Sequence, residues 1–220
     1  MEGKPIDEIL DRLERCTSDK ASPGSAPGQE PSWRATPFTM LVATVLSQRN
    51  RDESTYAASE RLFSRYDDPA KLMAAPEDEI DELIRNVNFH RGKTKAIREI
   101  ARIVHQELDD RVPDTIEGLM ALPMVGRKTA NCVLAYAFEK DVICVDTHVH
   151  RISNRIGLVR SATPDGTEEQ LMAVVPKDRW RSVNEIMVRF GQEVCTPQRP
   201  KHCICPVTEF CDLYLESVKD

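Results

Sequence analysis

Apolar residues recur at helical spacing along almost the whole chain. Near the N-terminus they fall on one face of a helix, which predicts an amphipathic helix over residues 5–16. The same spacing predicts further helices over residues 38–47, 53–66, 77–87, 93–108, 116–121, 128–138, 147–157, 168–175 and 180–190, and a short one after Pro206. No segment alternates convincingly between apolar and polar residues as a strand would. The pattern therefore predicts an all-α protein.

Composition narrows the class of protein. The chain has 220 residues and 40% apolar content, which is enough to bury a core as one domain or two small ones. A Ser-, Pro- and Gly-rich stretch over residues 17–31 predicts a surface loop or linker. No apolar run could span a bilayer, and residues 1–8 lack the basic start and apolar core of a secretion signal. We therefore expect an intracellular protein without a membrane partner.

The most informative segment, residues 122–130, reads LPMVGRKTA. Pro123 and Gly126 interrupt a helical pattern that restarts at Arg127, which predicts two helices joined by a hairpin. The backbone N–H groups at the start of the second helix carry partial positive charge, so the turn suits a phosphate. Lys128 follows Arg127 in the first turn, where the helix dipole and a like charge both disfavour the ammonium form. A lysine in such a place is a better nucleophile.

A carboxylate follows one short helix later. Asp146 comes after the apolar run 142–145 and before a helical pattern, so we expect it to be an ionised helix N-cap. Such a group can accept a proton or stabilise a developing cation. Taken singly, these features also suit a surface lysine, an ordinary cap and a noncatalytic DNA-binding hairpin. Their joint occurrence in one helical chain favours catalysis.

The net charge is −6, which is unfavourable for general binding to a polyanion. Any DNA-binding face must therefore be locally basic, and an acidic run such as 77–82 should lie elsewhere. Each charged residue also has an ordinary interpretation as part of a solvated face. The basic candidates are Arg91, Lys93, Lys95, Arg98, Arg127 and Lys128.

Seven cysteines in an intracellular protein indicate thiols or metal ligands and not disulfides. Four of them crowd into the C-terminal stretch, where prolines prevent regular helix, and four thiolates this close suit zinc or an iron-sulfur cluster. These are Cys195, Cys203, Cys205 and Cys211. Of the others, Cys16 is expected at a helix end, and Cys132 and Cys144 as small buried hydrophobic residues.

Together these motifs resemble those of the endonuclease III family of DNA glycosylases. The resemblance starts near residues 37–38, continues through Leu46-Ser47-Gln48, residues 87–91, the hairpin and residues 145–148, and reaches residues 189–192 and the last four cysteines. It implies a six-helix barrel with the hairpin over residues 33–143. Residues 1–32 and 144–220 would form the iron-sulfur domain, with double-stranded DNA in a cleft between the two.

The resemblance also implies an activity. In the family the hairpin lysine attacks the sugar C1′ and the aspartate assists; Lys128 and Asp146 occupy those positions. It implies a bifunctional glycosylase and AP lyase that removes oxidised pyrimidines as a monomer in a prokaryotic cytoplasm, at the nucleoid. The alternatives are a uracil or mismatch glycosylase, a lyase acting mainly on abasic sites, and a noncatalytic helix-hairpin-helix binding protein.

The resemblance favours a [4Fe-4S] cluster over zinc, although the ligand spacing departs from the family pattern. There the second cysteine comes one residue earlier, with two residues between it and the third. Here His202 holds that place and Cys203 follows it. We expect Cys203 to ligate after a one-residue adjustment of the loop, because clusters prefer thiolate, with His202 as the alternative.

Base excision requires the nucleotide to be turned out of the duplex and the gap to be filled. By resemblance, Gln48 or Arg49 would enter from one loop, and Val87 and Phe89 from another, although Phe89 also suits a core aromatic. The remaining DNA-binding candidates are Arg91, Lys93, Val125, Gly126, Arg127 and Thr129.

Two substitutions in the turns concern the backbone. Asn88 stands where some relatives have glycine, and asparagine tolerates a left-handed conformation. Met124 replaces the first glycine of the hairpin. We predict a negative φ at Met124, with Gly126 alone in the special conformation.

Overall fold

The computed structural model describes residues 4–17 and 36–219, which are helical and contain no β-strand. The predicted all-α class is confirmed. Of the predicted loop over 17–31, only Thr17, the last residue of the first helix, lies within the described residues. The helices there are α1 (Ile6–Thr17), α2 (Pro37–Ser47), α3 (Asp52–Phe63), α4 (Pro69–Ala74), α5 (Glu77–Leu83), α6 (His90–Gln106), α7 (Ile116–Met120), α8 (Arg127–Ala137), α9 (Thr147–Ile156), α10 (Pro164–Val174), α11 (Trp180–Glu193) and α12 (Asp212–Ser217).

The helix α4 is absent from the sequence prediction, because its six residues are too few for a periodic pattern. Its start is nevertheless encoded by capping. The side chain of Asp68 accepts a hydrogen bond from the backbone N–H of Lys71 at 2.8 Å, and Pro69 lies in the first turn. The same device starts α10 at Pro164, four residues before the apolar pattern begins, with Thr163 as the cap.

The described residues divide into two compact units, residues 36–140 and residues 4–17 with 141–219. In the first unit α2 is buried on nearly all sides and packs against α3, α6 and α8. Thr36 caps its N-terminus and Pro37 occupies its first turn. Since a helix that is apolar all round must be surrounded by protein, α2 forms the centre of this unit.

The second unit is built on an apolar core shared by α1, α9 and α11. Ile9, Leu10 and Leu13 of α1 are fully buried there. A helix of 12 residues is marginal alone in water, and each such side chain contributes about 1.5–3 kcal/mol when buried. Packing against α11 therefore stabilises α1. Within residues 4–17 and 36–219, no helix is long and apolar enough to cross a membrane.

Candidate active site and nucleic-acid interface

The predicted hairpin joins α7 to α8. The backbone N–H of Val125 bonds to Leu122 O at 3.2 Å, which closes a four-residue turn. Gly126 follows as the N-cap of α8, and α8 begins at Arg127. The segment 122–130 thus forms the helix-hairpin-helix turn that the sequence predicts.

The prediction about the hairpin backbone is wrong. Met124 has φ +59°, whereas Gly126 has φ −93° and extended backbone. The reason lies in the turn closed by Leu122 and Val125. Met124 is its third residue, the position that takes positive φ in a type II turn, and Pro123 is its second, where proline is favoured. Met124 remains 44% exposed, so its side chain avoids the packed interior.

Lys128 is the second residue of α8, and its side chain is exposed, as is that of Arg127. These cationic side chains accompany the N–H groups of the first helical turn, which carry partial positive charge, and this arrangement favours an anion. The neighbouring side chains of Val125 and Thr129 are buried instead. They fix the hairpin to its own unit, so a DNA contact at these two positions would come from the backbone.

Two further loops repeat the geometry of the hairpin turn. The backbone N–H of Asn50 bonds to Ser47 O, and that of His90 bonds to Val87 O. The third residues of these turns, Arg49 and Phe89, have φ +53° and +60°. Non-glycine residues in this conformation cost on the order of 1–3 kcal/mol each and cluster at functional sites.

Side-chain hydrogen bonds join the three turns. Gln48 Nε2 donates to Met124 O at 2.8 Å and to Thr129 Oγ1 at 3.2 Å. Asn88 Nδ2 donates to Arg49 O at 2.8 Å. The loop after α2 is thereby tied both to the hairpin and to the loop before α6. Sequence reasoning missed this role of Gln48 and Asn88, because no local pattern reveals bonds between residues 76 and 39 positions apart.

The residues predicted to insert into DNA differ in burial. Phe89 is 65% exposed, which excludes the alternative of a core aromatic, and Arg49 is exposed as well. Val87, by contrast, is only 1% exposed and belongs to the core. The prediction that Val87 inserts into DNA is therefore wrong. The left-handed residue of this loop is Phe89 and not Asn88.

Lys93 also departs from expectation. Its side chain is 1% exposed, and Nζ donates to Leu46 O at 2.8 Å and to Gln48 O at 2.6 Å. The prediction that Lys93 contacts DNA phosphate is therefore wrong, because its ammonium group faces the interior. Burial lowers the pKa of Lys93 to about 8. The residue satisfies carbonyls freed at the end of α2 and holds the loop that carries Gln48 and Arg49.

The rest of the basic face is mixed. Arg91 and Lys95 on α6 are exposed. The acidic run 77–82, which is expected on the other side from the DNA-binding face, lies next to one of the basic candidates. This run is α5, which packs on α6, and Glu77 pairs with Arg98 at 3.4 Å. The positive charge of α6 is thus partly neutralised.

In the other unit, Asp146 caps α9 as predicted. Its Oδ1 accepts hydrogen bonds from the backbone N–H groups of His148 and Val149, both at 2.8 Å. Because both cap bonds use Oδ1, the Oδ2 atom takes no part in the cap. The carboxylate is half-buried and fixed in orientation. Such a group suits a role at a developing positive charge.

The cysteine-rich segment surrounds a small cavity. Cys195, Cys205, Cys211 and His202 all line it, whereas Cys203 is exposed and lies outside its lining. Among residues 4–17 and 36–219, no three His, Cys, Asp or Glu side chains are already arranged as a metal site. Cys132 and Cys144 are buried and Cys16 lies in the last turn of α1, as the sequence predicts.

The chemistry of this donor set fits a metal centre. Burial raises the pKa of the Cys205 and Cys211 thiols, and neighbouring sulfur groups, including Cys195, raise both further. Thiolates grouped in this way need positive charge among them, which a metal provides. Arg155 Nη1 also lies 3.4 Å from the Sγ of Cys195, so that it can donate to this sulfur. Bonds of this kind tune sulfur ligands of iron.

Comparisons with known proteins identify the superfamily that the chain resembles. Residues 42–177 match the profile of the HhH-GPD superfamily, described as base excision DNA repair proteins. Endonuclease III of Thermotoga maritima is 47% identical over 178 residues, which cover 81% of this chain and 84% of that protein.

Solved structures agree. A non-covalent endonuclease III–DNA complex has a TM-score of 0.86 at 30% identity and covers 100% of both chains. A trapped endonuclease III–DNA covalent intermediate has a TM-score of 0.85 at 30% identity and covers 99% of both. The chain therefore belongs to the endonuclease III family of this superfamily, which confirms the resemblance seen in the sequence.

Proposed function

We propose that this protein removes oxidised pyrimidines from duplex DNA as a bifunctional DNA glycosylase and AP lyase. The observation that carries the proposal is an exposed lysine, Lys128, in the first turn of the hairpin helix of an endonuclease III chain. A related protein has been trapped as a covalent complex with DNA, which supports a nucleophilic mechanism.

Lys128 supplies the nucleophile. Its uncharged amine attacks C1′ of the damaged nucleotide, the C1′–N bond breaks, and the departing base takes the electron pair and a proton. The C1′–O4′ bond of the sugar then breaks, O4′ takes a proton, and the bond between C1′ and Nζ becomes a Schiff base. Loss of a proton from C2′ breaks the C3′–O bond by β-elimination, and water hydrolyses the Schiff base. Covalent catalysis of this kind divides one difficult step into easier ones.

Asp146 supplies negative charge and a proton acceptor. The cap bonds fix its orientation through Oδ1, and Oδ2 remains for catalysis. A preorganised carboxylate stabilises the cationic sugar of the transition state and accepts the proton that the amine loses. Because helix capping and catalysis use different oxygens, one residue can serve both.

The three linked turns supply the nucleic-acid interface. The hairpin amides and Arg127 bind backbone phosphate, while Phe89 and Arg49 enter the duplex where the base has left. Both side chains are exposed, and both residues have positive φ in their turns. Gln48 orients the loop through its bonds to the hairpin. Arg91 adds phosphate contact from α6.

We further propose that the unit containing residues 141–220 holds a [4Fe-4S] cluster. Cys195, Cys205 and Cys211 would be three of its ligands. The cluster would supply structural cross-linking near α9. Arg155 on that helix donates to Thr196 O at 2.8 Å, so the cysteine segment and the helix capped by Asp146 are joined.

Borohydride trapping on a lesion panel tests the activity. We expect a covalent adduct, with faster cleavage of an oligonucleotide carrying an oxidised pyrimidine than of one carrying uracil or a mismatch. Lys128→Gln should abolish the adduct while duplex binding persists. Lys71→Gln, which removes an exposed lysine on α4, should trap like the wild type.

The same panel separates the competing functions. Faster cleavage of uracil or of an abasic site than of the oxidised pyrimidine would reassign the substrate. Salt-dependent duplex binding with no adduct on any oligonucleotide would indicate a noncatalytic binding protein. A Lys128→Gln protein that still trapped DNA would contradict the assignment of the nucleophile.

A further inference from the structure

The cavity of the cysteine-rich segment has four side chains capable of ligating iron, and one of them is not cysteine. The three sulfur ligands are joined by the imidazole of His202, whereas Cys203 is exposed. A fourth ligand is needed, because iron-sulfur clusters of this kind take four.

Local backbone geometry decides which residue faces the cavity. Residues His202–Ile204 form a 3-10 helix, and the backbone N–H of Cys205 bonds to His202 O at 3.2 Å. In a helix with three residues per turn, residues i and i+3 lie on the same side. His202 therefore shares its side with Cys205, and the intervening Cys203 and Ile204 point outward and are exposed.

The imidazole is also held in place. Its ring packs edge-on against Tyr214 of α12, with 5.1 Å between the ring centroids and planes at 80°. Tyr214 follows Cys211 by three residues, so the ring that supports His202 belongs to the segment that carries another ligand. Bringing Cys203 into the cavity would rotate the turn by about a third of a revolution and remove His202 from this packing.

We propose that His202 is the fourth ligand, so that the cluster has three cysteines and one histidine. The inference rests on the proposed cofactor. Histidine is an established ligand of biological iron, and a neutral imidazole in place of thiolate makes the cluster less negative and raises its reduction potential. The Arg155 donor to Cys195 acts in the same direction.

The test uses the full-length protein purified without oxygen. Iron and acid-labile sulfide are measured for the wild type and for the variants Cys203→Ser, Cys16→Ser, His202→Ala and His202→Cys. Cys16 is included because it is the remaining cysteine whose charge acts on Cys205. The wild type is also prepared with ¹⁵N-labelled histidine for pulsed electron paramagnetic resonance of the paramagnetic cluster.

We expect a histidine nitrogen coupling in the wild type, in Cys203→Ser and in Cys16→Ser, all with full iron and sulfide. His202→Ala should lose cluster, and His202→Cys should keep it with a more negative reduction potential and no histidine coupling. Loss of cluster in Cys203→Ser, or a wild-type cluster without histidine coupling, would overturn the assignment. A wild type lacking iron and sulfide would instead overturn the cofactor itself, and His202 ligation with it.

Discussion

The buried ammonium of Lys93 makes a quantitative prediction about stability and pH. Its pKa falls from an ordinary 10.5 to about 8 on folding because burial removes water from the charged form. Between these values the folded protein binds fewer protons than the unfolded chain. The free energy of unfolding therefore rises as the pH rises from about 8 to 10.5, and it is flat below 8 as far as this group is concerned.

The magnitude follows from the shift. One pKa unit corresponds to about 1.36 kcal/mol, so Lys93 contributes a rise of about 3 kcal/mol across the window. The variant Lys93→Met removes this titration and leaves the carbonyls of Leu46 and Gln48 without a donor. Each lost partner costs about 1–3 kcal/mol, which offsets the removed desolvation penalty at neutral pH. The pH dependence of the stability difference between wild type and Lys93→Met therefore tests the prediction better than the difference at any one pH.

Urea unfolding under reducing conditions at several pH values measures this. The stability of the wild type minus that of Lys93→Met should increase by about 3 kcal/mol from pH 7.5 to 10.5. Lys95→Met, which removes an exposed lysine from the same helix, should follow the wild type across the range. A constant difference between wild type and Lys93→Met would refute the reasoning.

Two other substitutions test the site. Met124→Gly should raise the free energy of unfolding by up to about 1 kcal/mol, because glycine adopts the left-handed conformation without strain. Met120→Gly is the control, since Met120 is equally exposed but helical, and it should lower the free energy of unfolding. Thermal unfolding measures both changes. Asp146→Asn should change stability by only a few tenths of a kcal/mol, because asparagine caps as well as aspartate, yet slow single-turnover trapping at least about 100-fold.

For each of these variants, a specific result would contradict the prediction. If Met124→Gly destabilised the protein as much as Met120→Gly, positive φ at the hairpin would not be a source of strain. If Asp146→Asn lost stability and trapping in parallel, the carboxylate would act as a structural cap alone. The pairing of a stability measurement with a trapping rate separates these roles.

The helices and the two catalytic candidates follow from local patterns. Apolar spacing locates most of the helices, because the period of a helix is a property of neighbouring residues. Asp146 is recognisable as a cap because its carboxylate bonds to amides two and three residues later. Pro123 and Gly126 likewise predict the hairpin, and the last four cysteines predict a metal centre.

The tertiary structure decided where individual side chains point. Lys93 reads as a surface cation in the sequence, yet α6 lies against the end of α2, and its ammonium reaches carbonyls 45 and 47 residues away. Val87 is likewise buried in the core. His202 faces the cavity because a short 3-10 helix sets the direction of its side chain. The physical reason is that helix formation depends on residues within four positions, whereas burial and hydrogen-bond partners depend on which distant surfaces pack together.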